Sequence, residues 1–169
     1  MTKRAIAVAL ILAATASVAL AKSQSRVKPA ACPSINVLEE ATRITQMQGG
    51  KIDLKAEISD PAIACTVAGA TAKSQLSFYV KGAIAPTSDV APRTVPYFVA
   101  IISNGEIIGK EVFDLKLAFE GGKRMLNVRE RIAKIDIPIA AGKTAEDYSI
   151  TIGFQLTQEQ ADYNRTAQR

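Results

Sequence analysis

Apolar and polar side chains alternate along most of this chain, and a period of two belongs to the β-strand. Ile52, Leu54, Ala56 and Ile58 alternate with Asp53, Lys55 and Glu57. Leu76, Phe78 and Val80 alternate with Ser77, Tyr79 and Lys81. Tyr148, Ile150, Ile152, Phe154 and Leu156 form the cleanest series. Within Ala62–Ala70, Ile63, Cys65 and Val67 share one parity. Pro96 to Ser103 is almost continuously apolar, as a central sandwich strand is. Thr42 to Gln48 reads equally as strand or helix.

Turn chemistry separates these runs. Asn104-Gly105 lies between two apolar stretches, and both residues tolerate positive φ, so Tyr97–Ser103 and Glu106–Phe113 are expected to pair through a type I′ hairpin. Phe113, Leu115, Leu117 and Phe119 continue on one face until Gly121-Gly122. In Met125–Ile137 the apolar parity slips between Val128/Ile132 and Ile135/Ile137, which predicts a β-bulge near Ala133. Ala141-Gly142-Lys143 is a turn, and Thr157-Gln158-Glu159-Gln160 fits a capping box opening a short helix to about Arg165. Seven or eight short strands without interleaved long helices predict an all-β fold. The expected architecture is an antiparallel β-sandwich, an immunoglobulin- or fibronectin-like Greek key with a short C-terminal helix. A small β-barrel is the alternative.

The longest apolar run lies outside this pattern. Lys3 and Arg4 precede an uncharged stretch from Ala5 to Leu20, and Ala19-Leu20-Ala21 is a small-x-small cleavage site. Residues 1–21 therefore read as a signal peptide, 22–31 as a basic, proline-containing leader, and 32–169 as one domain. This organisation predicts a periplasmic or secreted protein whose mature form does not span the membrane; an uncleaved inner-membrane anchor is the alternative. Losing Lys3 and Arg4 leaves 19 basic against 16 acidic residues, a net charge of about +3 spread along the chain. Nucleic-acid binders concentrate such charge in a stripe, so nucleic acid is not an expected partner. Cys32 lies too far beyond Ala21 for a lipidated cysteine. Cys32 and Cys65 are the only cysteines, and in an oxidising compartment the pair reads as one disulfide.

The chain contains no histidine, which excludes Ser-His-Asp and Cys-His catalysis and His-ligated metals. Ser103 and Lys110 flank the hairpin as a formal Ser-Lys pair without a supporting motif. Glu39, Glu40, Glu57, Asp60, Glu111 and Glu130 are scattered, without a spacing that joins two in one cleft. Glu130 shares parity with Val128 and Ile132, but beside the bulge it is read as reaching solvent. No calcium loop or phosphate cradle is present, and neither enzymatic activity nor a cofactor is expected.

Three features are candidates for partner binding. Pro86 to Pro96 is a connection stiffened by three prolines and carrying Asp89 and Arg93. A basic stripe comprises Lys123, Arg124, Arg129, Arg131 and Lys134, with Arg129 and Arg131 on one strand face, suited to anionic lipid, glycan or an acidic protein patch. The third is Asp162-Tyr163-Asn164-Arg165, with Tyr163 and Arg165 as candidate contacts, where Tyr163 is expected to anchor the helix to the sandwich. Asn164-Arg165-Thr166 also matches a glycosylation sequon. Ala62, Ala64, Ala68 and Ala70 are read as close sheet packing, or as room for a ligand between the sheets.

Cys32-Pro33, Pro96-Tyr97-Phe98-Val99-Ala100, Gly153-Phe154-Gln155-Leu156-Thr157 and Tyr163-Asn164-Arg165 resemble motifs in a group of small exported bacterial envelope proteins of uncharacterised function. Some members look like lipoproteins, and this chain departs there. The resemblance implies a Gram-negative periplasmic setting and transfers no activity or site. The expected function is a non-catalytic protein–protein interaction module, an accessory subunit or scaffold of a cell-envelope assembly. The alternative is a carrier or sensor of a small apolar or anionic ligand.

Overall fold

A computed structural model describes residues 31–167. The expected signal peptide and nearly all of the leader lie outside the described residues. Eight strands form two four-stranded sheets. The first has the order β1 (Ser34–Val37), β8 (Tyr148–Phe154), β5 (Arg93–Ser103), β6 (Glu106–Leu117). The second has the order β2 (Arg43–Gln48), β3 (Lys51–Ala68), β4 (Thr71–Ile84), β7 (Met125–Pro138). All neighbours are antiparallel except β1, which lies parallel to β8. The protein is a β-sandwich, and its sheets do not close into a barrel. Within it, β4 lies beside β7 and β5 beside β8, while both the β4–β5 and β7–β8 connections cross between sheets. Immunoglobulin-like Greek keys interlock in this way.

The local signals act where expected. Asn104 and Gly105 both have positive φ, 53° and 79°, and join β5 to β6. Ser74 pairs with Ile135 and Leu76 with Ile132, so Ala133 and Lys134 together oppose Gln75 in the expected bulge. The ambiguous Thr42–Gln48 segment supplies β2. The run Ile52–Ile58 and the run from Ala62 as far as Ala68 belong to one 18-residue strand, β3, whose register shifts between Ser59 and Ala62 and whose Asp60 has φ 52°. At the C-terminus α1 (Gln158–Ala167) opens on the capping box: the Gln160 N–H donates to Thr157 Oγ1, and the Thr157 N–H donates to Gln160 Oε1.

The core fills the space between the sheets. Leu54, Ile58, Leu76, Phe78 and Val80 of one sheet face Val95, Tyr97, Leu117, Ile150 and Ile152 of the other. Each such aliphatic or aromatic side chain contributes about 1.5–3 kcal/mol by leaving water. Tyr97 is central: its ring meets Phe78 edge-on at 5.2 Å and stacks on Phe113 at 5.3 Å. A buried phenol needs a hydrogen-bond partner. Glu130 provides it, accepting from the Tyr97 hydroxyl at 3.0 Å. The expectation that Glu130 reaches solvent is therefore corrected. The bulge begins beyond it, so Glu130 keeps the inward parity of Val128. Ala62, Ala64 and Ala68 are exposed on the outer side of β3, and Ala70 is exposed in the turn that follows. They neither pack sheets nor leave internal space.

Outside the core, Phe98 and Ala100 lie on the opposite face of β5, covered by Ala41 and Leu156. Gly153 permits that cover. A Cβ there would stand 2.8 Å from the Ala41 Cβ and 3.1 Å from the Phe98 ring. Cys32 and Cys65 form the expected disulfide, which ties the residues before β1 to β3 of the other sheet, with a Cα–Cα distance of 5.7 Å. Gly153→Ala is expected to destabilise by about 1–3 kcal/mol through overpacking, measured as a lower urea midpoint at unchanged slope. Reduction of Cys32–Cys65 is expected to remove about 3–4 kcal/mol on the chain-entropy model, measured by urea unfolding with and without reductant.

Candidate binding surfaces

The Pro86–Pro96 segment is shorter as a connection than its sequence implied, because Arg93 already opens β5. Arg93 points inward. Its Nε donates to Asp53 Oδ2 at 2.6 Å and its Nη2 to Asp53 Oδ1 at 3.0 Å, a two-pronged pair that is mostly shielded from solvent. Its remaining donors reach the carbonyls of Asp89, Ala91 and Pro92. Asp53 reaches Arg93 because Met47 pairs with Ile52 and Gln46 with Leu54, which leaves Asp53 as the extra residue of a bulge. The Arg93 hydrogen bonds hold the Asp53 carboxyl down at about 2, outweighing the upward push of burial. Arg93 is thereby saturated by the protein itself. The Asp89 side chain is exposed, and its main-chain carbonyl serves Arg93.

The basic stripe divides. Arg124 Nη1 donates to the carbonyls of Ala85 at 2.7 Å and Ser88 at 2.8 Å, so it fastens the same connection from the other side. Lys134 pairs with Asp136 at 3.1 Å, and Lys123 is exposed in the turn before β7. Arg129 and Arg131 share the outer face of β7, as their spacing predicts. Arg129 leans over the Tyr79 ring at 6.0 Å and donates to Ser77 Oγ.

At the C-terminus the anchor is Asn164 rather than Tyr163. Asn164 is 7% exposed, and its Nδ2 donates to the carbonyls of Glu40 at 3.2 Å and Arg43 at 2.7 Å. Its buried amide closes the sequon. Tyr163 is 36% exposed and lines a surface trough, while Arg165 pairs with Asp162 on the outer side of α1.

That trough, about 730 Å³, takes in Tyr163 and Asn164 of the C-terminal candidate, and the rest of its lining was not singled out in the sequence. It crosses all four strands of the β2–β3–β4–β7 sheet on the outer face. Register explains its shape. Ile44, Ala56, Gly82 and Leu126 lie in line with inward parity, so their backbone makes the floor. Arg43, Glu57, Lys81 and Asn127 form one wall. Thr45, Lys55, Ala83 and Met125 form the other. Arg43 and Glu57 pair at 3.2 Å, while Lys55 and Lys81 form no ion pair among the described residues.

The sheet edges are β1, β6, β2 and β7. β1 has four residues, β2 lies beside α1, and β7 is bulged and cationic. β6 has 12 residues, carries a bulge at Ile108, and exposes Ile107 at 63%, Ile108 at 52% and Val112 at 51%. Between β6 and β7 opens a crevice of about 270 Å³, lined by Ile101, Phe113, Ile132 and Glu111. Burial, then the hydrogen bond and charge of Glu130, then the charge of Glu111, push the Tyr97 phenol well above its usual range.

Ser103 does not meet Lys110. Its hydroxyl, 7% exposed, accepts from Lys143 Nζ at 2.7 Å and donates to the Asp147 carbonyl. The hydroxyl thus fastens the β7–β8 connection. No helix among the described residues is long and apolar enough to cross a membrane.

The depressed Asp53 pKa has a definite sign. Its stabilising contribution is complete above the unfolded value, 3.8, and is lost as the pH falls toward about 2. The stability difference between wild type and Asp53→Asn is expected to shrink by about 2 kcal/mol between pH 5 and pH 2, read from urea midpoints across that range. No family model, curated protein or solved structure matches the chain.

Proposed function

We propose that this chain is a non-catalytic interaction module of the bacterial cell envelope, working outside the cytoplasm as an accessory subunit or scaffold. Its partner is a protein segment that adds as a strand to β6. The disulfide favours an oxidising compartment, and the basic and apolar N-terminal sequence favours export. The polar groups nearest to catalytic arrangements are engaged in structure: Ser103 with Lys143, Glu130 with Tyr97, Asp53 with Arg93.

The observation that carries the reading is the exposed aliphatic edge of β6. An edge strand offers a row of unpaired backbone groups, and long apolar edges are docking sites unless blunted. Here Val112 stands between Lys110 and Asp114 on the same outward parity. A complementary segment places an aliphatic residue opposite Val112, a carboxylate opposite Lys110 and a cation opposite Asp114.

The test places a photo-crosslinking phenylalanine derivative at position 112 and, for comparison, at exposed position 64 on the other sheet. The expected result is one discrete protein adduct from position 112 in intact envelopes, absent from position 64 and weakened by Ile107→Lys. Equal labelling from both positions, or an adduct only to a second copy of this chain, overturns the reading.

A further inference from the structure

We propose that the trough on the outer face of the β2–β3–β4–β7 sheet binds an aliphatic chain carrying an anionic head group, with the head held between Lys55 and Lys81. This site lies on the opposite sheet from β6 and stands independently of strand capture there.

Three observations converge. The first is dimension. Four strands mean three inter-strand steps, so the trough runs for about 15 Å, and its walls stand two residues apart along each strand, about 7 Å. Its volume of about 730 Å³ is that of a small-molecule site. The second is charge. Glu57 is the only carboxylate in its lining, and Arg43 neutralises it at 3.2 Å. Lys55 and Lys81 remain, both exposed and on opposite walls: Lys55 pairs across the strands with Ala83, and Lys81 with Glu57. The two ammonium groups therefore stand diagonally across the channel, and an anion between them meets both. The third is the surface beyond the lysines. Ala83 and Met125 continue one wall, with Met125 75% exposed, and Tyr163 closes the opposite end. The lysine stems add apolar surface of their own.

The floor decides between an aliphatic chain and a peptide. Its backbone N–H and C=O groups already serve the sheet ladder across β2, β3, β4 and β7. A peptide lying there finds no partners for its own backbone, and unpaired buried amides are costly. A hydrocarbon chain needs none. The ammonium pair supplies charge-assisted hydrogen bonds to a carboxylate or phosphate. The anionic amphiphile can come from a free fatty acid or from a bilayer lipid, which share this chemistry.

The test titrates the full, oxidised chain with decanoate, below its micelle concentration, and follows the Met125 methyl resonance by NMR together with calorimetry. The expected result is saturable one-to-one binding that shifts Met125. The affinity is expected to fall about tenfold for each lysine removed in Lys55→Gln and Lys81→Gln. Ala83→Phe, which fills the channel and keeps both lysines, is expected to abolish binding. Arg131→Gln, on the same face but outside the trough, is expected to leave it unchanged, and thermal unfolding checks that each variant folds.

Absence of saturable binding overturns the proposal, as does equal affinity for decanol or for inorganic phosphate alone. An Arg131→Gln loss equal to that at Lys55 reduces the site to a general cationic face and also overturns it. Binding of a hexaglutamate peptide with the same Met125 shift replaces the chain by a peptide. Vesicles containing phosphatidylglycerol assign the source within the proposal: a Met125 response to them identifies a bilayer lipid, and a response to decanoate alone identifies a free amphiphile.

Discussion

Two arginines at one corner of the sandwich hold its crossings in place. Arg93 joins the start of β5 to Asp53 in β3, across the sheets, and Arg124 takes the carbonyls of Ala85 and Ser88 in the connection between β4 and β5. The main chain reinforces the corner: Ile84 donates to Arg124 and Ala85 donates to Asp53. Hydrophobic burial presses two sheets together but is indifferent to small slides between them. Directional, charge-assisted bonds at a crossing are not. The register of Phe78 against Tyr97, and so the packing of the core, is held at a corner whose cross-links are polar.

That corner also shows what the proline-rich connection does within the fold. Its carbonyls at Ala85, Ser88, Asp89 and Ala91 are taken by Arg93 and Arg124, while the Asp89 side chain stays exposed. The surfaces left for recognition differ in kind. β6 offers backbone along an edge, while the outer face of β2–β3–β4–β7 offers side chains over a backbone that is already satisfied. An edge suits a peptide, and a finished sheet face suits something without a backbone.

Much of the fold was legible because its signals are local. Asn104-Gly105 fixes a hairpin through its own φ preferences, the slipped parity of Met125–Ile137 marks the bulge at Ala133–Lys134, and Thr157-Gln160 cap their helix with their own side chains. The cysteines could pair only with each other. The binding surfaces were harder to read because they depend on register between strands distant in sequence. Lys55, Lys81 and Met125 are unremarkable polar-face residues until β3, β4 and β7 align them. Asp53 looked like any alternating polar residue, and only the bulge reveals why it turns to Arg93 forty residues away. Glu130 had the inward parity, but its partner Tyr97 belongs to the other sheet.

The parallel strand β1 has a consequence of its own. Among the described residues, the four of β1, Ser34 to Val37, pair with the free edge of β8, whose own residues are nearly all buried. The Cys32–Cys65 bridge holds that short cover from two residues upstream. Opening the bridge loosens the grip on β1, and a displaced β1 bares the Ser149–Ile152 edge of β8, ready to pair with whatever chain is near. In this architecture the intact bridge keeps the β8 edge covered and is a safeguard against indiscriminate strand pairing.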